Sequence, residues 1–132
     1  MARLKCIVLT PERTLLDAAA DFVALPLYDG EIGIAPAHGA MIGRLGCGEM
    51  RVKQGDHVLR FFLEGGFVEV IHDTVSVLTN RAVPAAEIDA AVAQQQLSAA
   101  RERPARTPEL IELRDRAVAQ ARAQLRIARR TQ

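Results

Sequence analysis

The stretch His57-Val58-Leu59-Arg60-Phe61-Phe62-Leu63-Glu64-Gly65-Gly66-Phe67-Val68-Glu69-Val70-Ile71 decides the fold class of residues 3 to about 80. Residues 57–63 and 67–71 are two runs rich in β-branched and aromatic side chains, the composition of strands. Glu64-Gly65-Gly66 between them suits a hairpin or a bulge. His72-Asp73 then turns the chain into residues 74–79, a third run of the same kind.

Upstream the same reading continues. Gln54-Gly55-Asp56 makes a turn, and Glu49-Met50-Arg51-Val52-Lys53 alternates polar and apolar as a half-buried strand should. Gly30, Gly33, Pro36, Gly39, Gly43, Gly46 and Gly48 leave room only for very short strands, with residues 43–48 read as turn glycines. These lack the Gly-Lys-Ser/Thr ending of a phosphate loop, and no helix follows. Residues 22–25 form a strand ended by Pro26, and residues 4–9 another that stops at Thr10-Pro11-Glu12-Arg13. Many short strands at this spacing point to an antiparallel sandwich or barrel.

The period changes after Asn80. Pro84 sits where a helix can begin, residues 88–100 are rich in Ala and Gln, and Arg101-Glu102-Arg103-Pro104-Ala105-Arg106 interrupts them. Thr107-Pro108-Glu109 reads as an N-cap followed by proline at the first helical position. Leu110, Leu113, Ala117, Ala121, Leu125 and Ala128 then recur at spacings of three and four, one narrow apolar stripe. The expected fold is therefore α+β: an antiparallel β unit over 1–83 and an antiparallel helical hairpin over 84–132.

Composition bounds the function. The chain has 132 residues, 49% hydrophobic and 25% charged, which places it among folded proteins rather than disordered ones. Aromatics make up only 4%, so the core must rest on Leu, Ile, Val and Ala. The net charge of +1 argues against strong nucleic-acid binding. Residues 1–83 carry 8 Lys/Arg against 10 Asp/Glu, whereas residues 84–132 carry 9 Arg against 6 Asp/Glu. Opposite signs on the two halves imply different partners for each. Cys6 and Cys47 have neither disulfide-framework nor metal-ligand spacing and are expected as free thiols in strands. No apolar run reaches the roughly 18 residues of a spanning helix, and residues 1–5 lack a signal-peptide core. The expected location is cytoplasmic, with membrane contact only through a partner.

The segment Leu25-Pro26-Leu27-Tyr28-Asp29-Gly30-Glu31-Ile32-Gly33-Ile34-Ala35-Pro36-Ala37-His38 resembles the signature of the ATP synthase epsilon family. That family carries Gly-Glu-(Ile/Leu)-Gly-(Ile/Val/Leu)-x-Pro-x-His at this distance from its N-terminus. Leu63-Glu64-Gly65-Gly66-Phe67-Val68-Glu69-Val70 resembles its Gly-Gly hairpin, and Val75-Ser76-Val77-Leu78 with Ala82 and Glu87-Ile88-Asp89 its last strand and entry to the helices. The resemblance covers nearly the whole chain. It implies an N-terminal β-sandwich that binds the gamma subunit and the c-ring, with Glu31 and His38 as contacts on exposed turns at one end. It also implies a non-catalytic central-stalk role in a rotary proton-translocating ATP synthase. The expected location becomes the cytoplasmic face of a bacterial plasma membrane, or the stromal face of a thylakoid.

Some members bind ATP through Ile/Leu-Asp-x-x-Arg-Ala and arginines of the second helix. The matching segment is Ile88-Asp89-Ala90-Ala91-Val92-Ala93, so the nucleotide candidates are Asp89, Arg122 and Arg126. Val92 occupies the motif's arginine position and cannot pair with a phosphate, so weak or absent ATP binding and no cofactor are expected. The resemblance further implies that Arg114, Arg122, Arg126, Arg129 and Arg130 engage acidic segments of the alpha/beta hexamer when the hairpin extends. A solvated charged face is the plainer reading of the same arginines.

Two other readings compete: a free-standing ligand sensor whose hairpin closes over a small molecule, and a hydrolase using His38 beside Asp29 and Glu31. The second lacks a metal-ligand spacing or a second nearby His or Cys. The hairpin's faces are mostly alanine, and small apolar contacts at about 25 cal/mol per Å² stabilise docking only modestly. Amide hydrogen exchange should accordingly be faster across 85–130 than across the strands. Equal protection in both would remove the argument for a mobile hairpin.

Overall fold

Two long strands organise the β unit of the structure, a computed structural model that describes residues 3–131. The strands are β1 (Leu4–Leu9), β2 (Thr14–Ala20), β3 (Phe22–Leu27), β4 (Gly30–Ile34), β5 (Met41–Gln54), β6 (His57–Ile71), β7 (Thr74–Leu78) and β8 (Ala82–Pro84). They form one sheet in the order β2-β1-β7-β6-β5-β3-β4, with β8 also paired to β6. All neighbours are antiparallel except β1 and β7, which run parallel with Lys5 opposite Thr74 and Leu9 opposite Leu78. The parallel pair departs from the fully antiparallel expectation.

β5 and β6 stay in one register over their whole length, from Met41 opposite Val70 to Gln54 opposite His57. The side that faces the core nevertheless changes along them. On β5 the buried positions of this core are Leu45 and then Met50 and Val52; on β6 they are Phe61 and Leu63 and then Val68 and Val70, while Phe62 is buried outside it. Strict alternation cannot join those sets, so both strands reverse their inward face near Gly46 and Gly65-Gly66. Gly65 and Gly66 adopt φ of 73° and 115°, values that glycine takes without steric cost. The sheet folds over at this corner, and its two halves enclose one core that includes Cys6, Val23, Leu25, Ile34, Met50, Leu63, Val70 and Val77.

The glycines of 43–48 therefore lie inside β5, a 14-residue strand, and are not turn glycines between very short strands. Their smallness serves close approach: a Cβ at Gly46 would stand 2.7 Å from the Leu27 carbonyl oxygen, and one at Gly48 3.0 Å from Pro26. Pro26 does not end its strand either. It pairs with Glu31 inside β3–β4, and the β3–β5 register breaks between Ala24 and Leu27, where its missing N–H costs no ladder bond. Pro84 closes β8; the helical part begins with a 3-10 turn, Ala85–Glu87.

The chain divides after Pro84, and the second unit starts at Ala85. Its helices are α1 (Ala90–Arg101) and α2 (Pro108–Thr131). Asp89 caps α1, accepting from the Ala91 amide at 2.8 Å. Thr107 caps α2 through Oγ1, which accepts from Leu110 N at 3.2 Å, with Pro108 in the first turn. Ala93 and Leu97 of α1 pack with Ala121 and Leu125 of α2, flanked by Ala90 and Val118. Leu110 and Leu113, the start of the expected stripe, stay exposed because α2 is twice as long as α1, 24 residues against 12, and overhangs it. Ala123 and Ile127, about half a turn round α2 from Leu125, are buried as well, so the helix is covered on more than the single stripe expected.

Gly66→Ala should cost roughly 2–4 kcal/mol in thermal unfolding, since its Cβ would clash with the Leu78 carbonyl oxygen and its φ is positive. Gly39→Ala, which meets nothing within 4 Å, should stay within about 0.5 kcal/mol.

Burial pushes the Cys6 thiol up from 9.0 to about 12. The unfolded chain therefore loses that proton first, and stability should fall as pH rises from about 9 towards 12. Cys6→Val should flatten that part of a stability–pH profile; an unchanged slope would assign the loss to other groups.

Candidate functional site

The register of β5, β6 and β7 sets one outward sheet face side chain by side chain. Ile42 lies opposite Glu69, Arg44 opposite Phe67, and Phe67 in turn opposite Leu78. The inward neighbours of these positions, Val68, Val70, Val75 and Val77, are buried. The outward set is not: Ile42 is 76% exposed, Phe67 57%, Leu78 50% and Ile71 43%. Tyr28, 70% exposed, stands beside them, with the Arg44 guanidinium 4.5 Å from its ring centroid. The Tyr28 amide also donates to the Arg44 carbonyl at 2.9 Å, which fixes the stack to the backbone. Ile7 and Leu9, on the same face of β1, are half-buried and extend the patch. Exposed aromatic, aliphatic and arginine side chains on a rigid sheet have the composition of a protein-docking surface.

The outward face of the other half of the sheet is charged. Glu49 is nearly buried, and its carboxylate accepts from Arg60 Nε at 3.0 Å and from Arg51 Nη1 at 3.1 Å. Arg51 reaches on to Glu31 at 2.6 Å. The hydrogen bonds that Arg51 donates to Glu31 and then to Glu49 raise its pKa above its ordinary value. Glu31 is thus held in β4, opposite Pro26, and not on an exposed turn as expected. His38 lies beyond the other end of β4, in the loop 35–40, half-buried, with Nδ1 2.7 Å from the Gly39 carbonyl oxygen. The strand between them, five residues at about 3.3 Å each, sets Glu31 and His38 at opposite ends. Among the described residues no group of three His, Cys, Asp or Glu side chains is placed to hold a metal ion.

In the helical unit, Arg122, Arg126 and Arg129 come together with Arg130, Leu97 and Leu125 around an open groove of about 480 Å³. Arg114 is not part of it; half-buried two turns earlier, it contacts its neighbour Asp115 at 3.3 Å. Asp89 is engaged as the α1 cap, and Val92 is 46% exposed. The sequence reading missed the Tyr28–Arg44 patch. Tyr28 lay within the quoted signature, but only strand register shows which apolar positions of β5–β7 face outward.

Residues 3–85 match the ATP synthase Delta/Epsilon chain beta-sandwich domain family. An ATP synthase epsilon chain of Rhodopirellula baltica is 47% identical over 126 residues, covering 96% of this chain and 98% of that one. That of Synechococcus sp. strain RCC307 is 43% identical over 93 residues, 70% of this chain and 69% of its own. Among solved structures, a chain of the Euglena gracilis mitochondrial ATP synthase, OSCP/F1/c-ring, superposes with a TM-score of 0.75 at 22% identity. It covers 98% of this chain and 79% of that chain, and at such identity supports the fold alone. A second fold match is a chain of the Tetrahymena thermophila central stalk/c-ring structure, with a TM-score of 0.76 at 14% identity over 96% of both chains. On the strength of its sequence relatives and of the sandwich-domain match over residues 3–85, this chain belongs to the ATP synthase epsilon chain family.

Proposed function

We propose that this chain is a non-catalytic central-stalk subunit that couples the rotor of a proton-translocating ATP synthase to its catalytic head. The observation that carries the reading is the outward patch of Tyr28, Arg44, Ile42, Phe67 and Leu78. A subunit that works by being gripped needs such a surface. The patch and the His38 end of the sandwich would bind the gamma subunit and the c-ring. Membrane attachment follows through those partners, at the cytoplasmic face of a bacterial plasma membrane.

The hairpin acts as a conformational brake on hydrolysis. Arg114, Arg122, Arg126, Arg129 and Arg130 meet acidic segments of the alpha/beta hexamer when it extends, an attraction that salt weakens. The groove around Arg122 and Arg126 remains the nucleotide candidate. ATP binding there is weak or absent, since Val92 supplies no charge and Asp89 is engaged as a cap.

The test is to titrate the full chain, and residues 1–84 alone, into epsilon-depleted ATP synthase of the source organism while following ATP hydrolysis. Both forms should bind and only the full chain should slow hydrolysis. Phe67→Glu should weaken binding of either form by about tenfold or more, the effect of losing an interface anchor. Equal inhibition by both forms would make the hairpin a structural element, and no binding by either would overturn the stalk role.

A further inference from the structure

Every non-glycine residue with positive φ among those described lies at one end of the sandwich. These are Ala37 at 67°, His72 at 48° and Asp73 at 58°. His72 and Asp73 have a plain reason: they are the two central residues of the β6–β7 hairpin, whose strand twist favours a turn with both in the left-handed region. Ala37 has a local reason only in part: it follows Pro36 in a two-residue turn, where a left-handed second residue is ordinary, but glycine or asparagine usually fills that place. It lies in the loop 35–40, and a Cβ-bearing residue other than Asn or Asp is disfavoured there. A long-range bond adds to the turn: the Ala37 amide donates to Asp73 Oδ1 at 2.7 Å, across 36 residues of chain. The Asp73 carbonyl oxygen meanwhile accepts from Lys5 N at 2.9 Å, which ties the same turn to the start of β1.

We infer that Asp73 is a positioning residue, whose carboxylate holds Ala37 left-handed and so fixes the loop that presents His38 to the partner at that end. The inference rests on the docking reading above. Backbone strain of this kind persists only where the surroundings over-determine it. Here the surroundings are the Pro36–Ala37 turn itself and one side chain reaching from the neighbouring turn. His38 follows Ala37 directly, so the direction of its ring is set by the φ that Asp73 enforces. Asp73 need not touch the partner; it acts through the loop. The main-chain bond to Lys5 stays with the backbone of residue 73 whatever its side chain, so the turn and β1 survive removal of the carboxylate.

The experiment pairs hydrogen exchange with binding. In the full chain, Asp73→Ala should speed exchange of the Ala37 amide by about tenfold, the loss of one hydrogen bond to a charged acceptor. The melting temperature should fall by only a few degrees, the cost of alanine at the left-handed position 73, and protection of the strands away from that turn should stay as in the wild type. In epsilon-depleted ATP synthase the same variant should raise the apparent Kd by about five- to tenfold. Asp73→Asn, whose Oδ1 can still accept, should stay near wild type in both measurements. Ala37→Gly, which takes positive φ without cost, should recover part of the lost affinity in the Asp73→Ala background. Unchanged Ala37 exchange would overturn the inference, and so would faster exchange with unchanged Kd. A wild-type chain that fails to bind would overturn the stalk reading and this inference together, whereas wild-type binding that Asp73→Ala leaves intact overturns this inference alone.

Discussion

The β unit depends on one corner, where Gly65 and Gly66 let β6 reverse its inward face. A sheet of this many strands must fold over to bury one side, and two strands do the folding by serving both halves. The reversal would strand polar backbone inside the core unless something met it. Thr79 does so: its buried hydroxyl lies 2.7 Å from the Gly65 carbonyl oxygen and 3.1 Å from that of Arg81. The Glu64 amide also donates to the Arg81 carbonyl at 3.1 Å, so β7 and β8 leave and rejoin the edge of β6 around the kink. From this corner follow the enclosed core, the shared register of β5 with β6, and the two chemically different outward faces.

Much of that was readable from residues alone. The His72-Asp73 turn and the Thr107-Pro108 cap are local signals, and local chemistry determines them; Glu64-Gly65-Gly66, expected as a hairpin or a bulge, is neither, since β6 runs through it in unbroken register with β5. The failures share a cause. Gly43, Gly46 and Gly48 look like punctuation in one dimension, but they are places where Leu27, Pro26 and Val68 come close. Glycine for a turn and glycine for close approach are the same letter. Pro26 was misjudged because its tolerance depends on a register break in the neighbouring strand. β2 and β8 passed unnoticed, since Ala-rich or three-residue segments carry little pattern.

The candidate site was legible only in part. Family signature residues marked Glu31 and His38, but burial and partners give the two different situations. Glu31 belongs to a chain of alternating charges through Arg51, Glu49 and Arg60. Such a chain, with a nearly buried carboxylate at its centre, fixes geometry more than it adds stability. The outward patch was invisible, because its residues look no different from core residues until register assigns them a side. Arginine clustering was legible as composition, whereas the groove it lines needed helix packing: Leu97 of α1 sets the floor against which Arg122, Arg126 and Arg129 gather.

The parallel pairing of β1 with β7 reaches beyond the finished fold. A chain made from its N-terminus can form the β1–β2 hairpin at once, since that contact is local. The opposite edge of β1 has no neighbour until residues 74–78 have been made, when Lys5 meets Thr74 and Leu9 meets Leu78. Non-local pairing of this kind is slow, because chain entropy must be lost before the contact rewards it. During synthesis the first strand therefore waits with one row of backbone groups unpaired, and the interval is set by how soon β7 arrives. The most sequence-distant strand pairing is thus the one that joins the β1–β2 hairpin to the rest of the sheet.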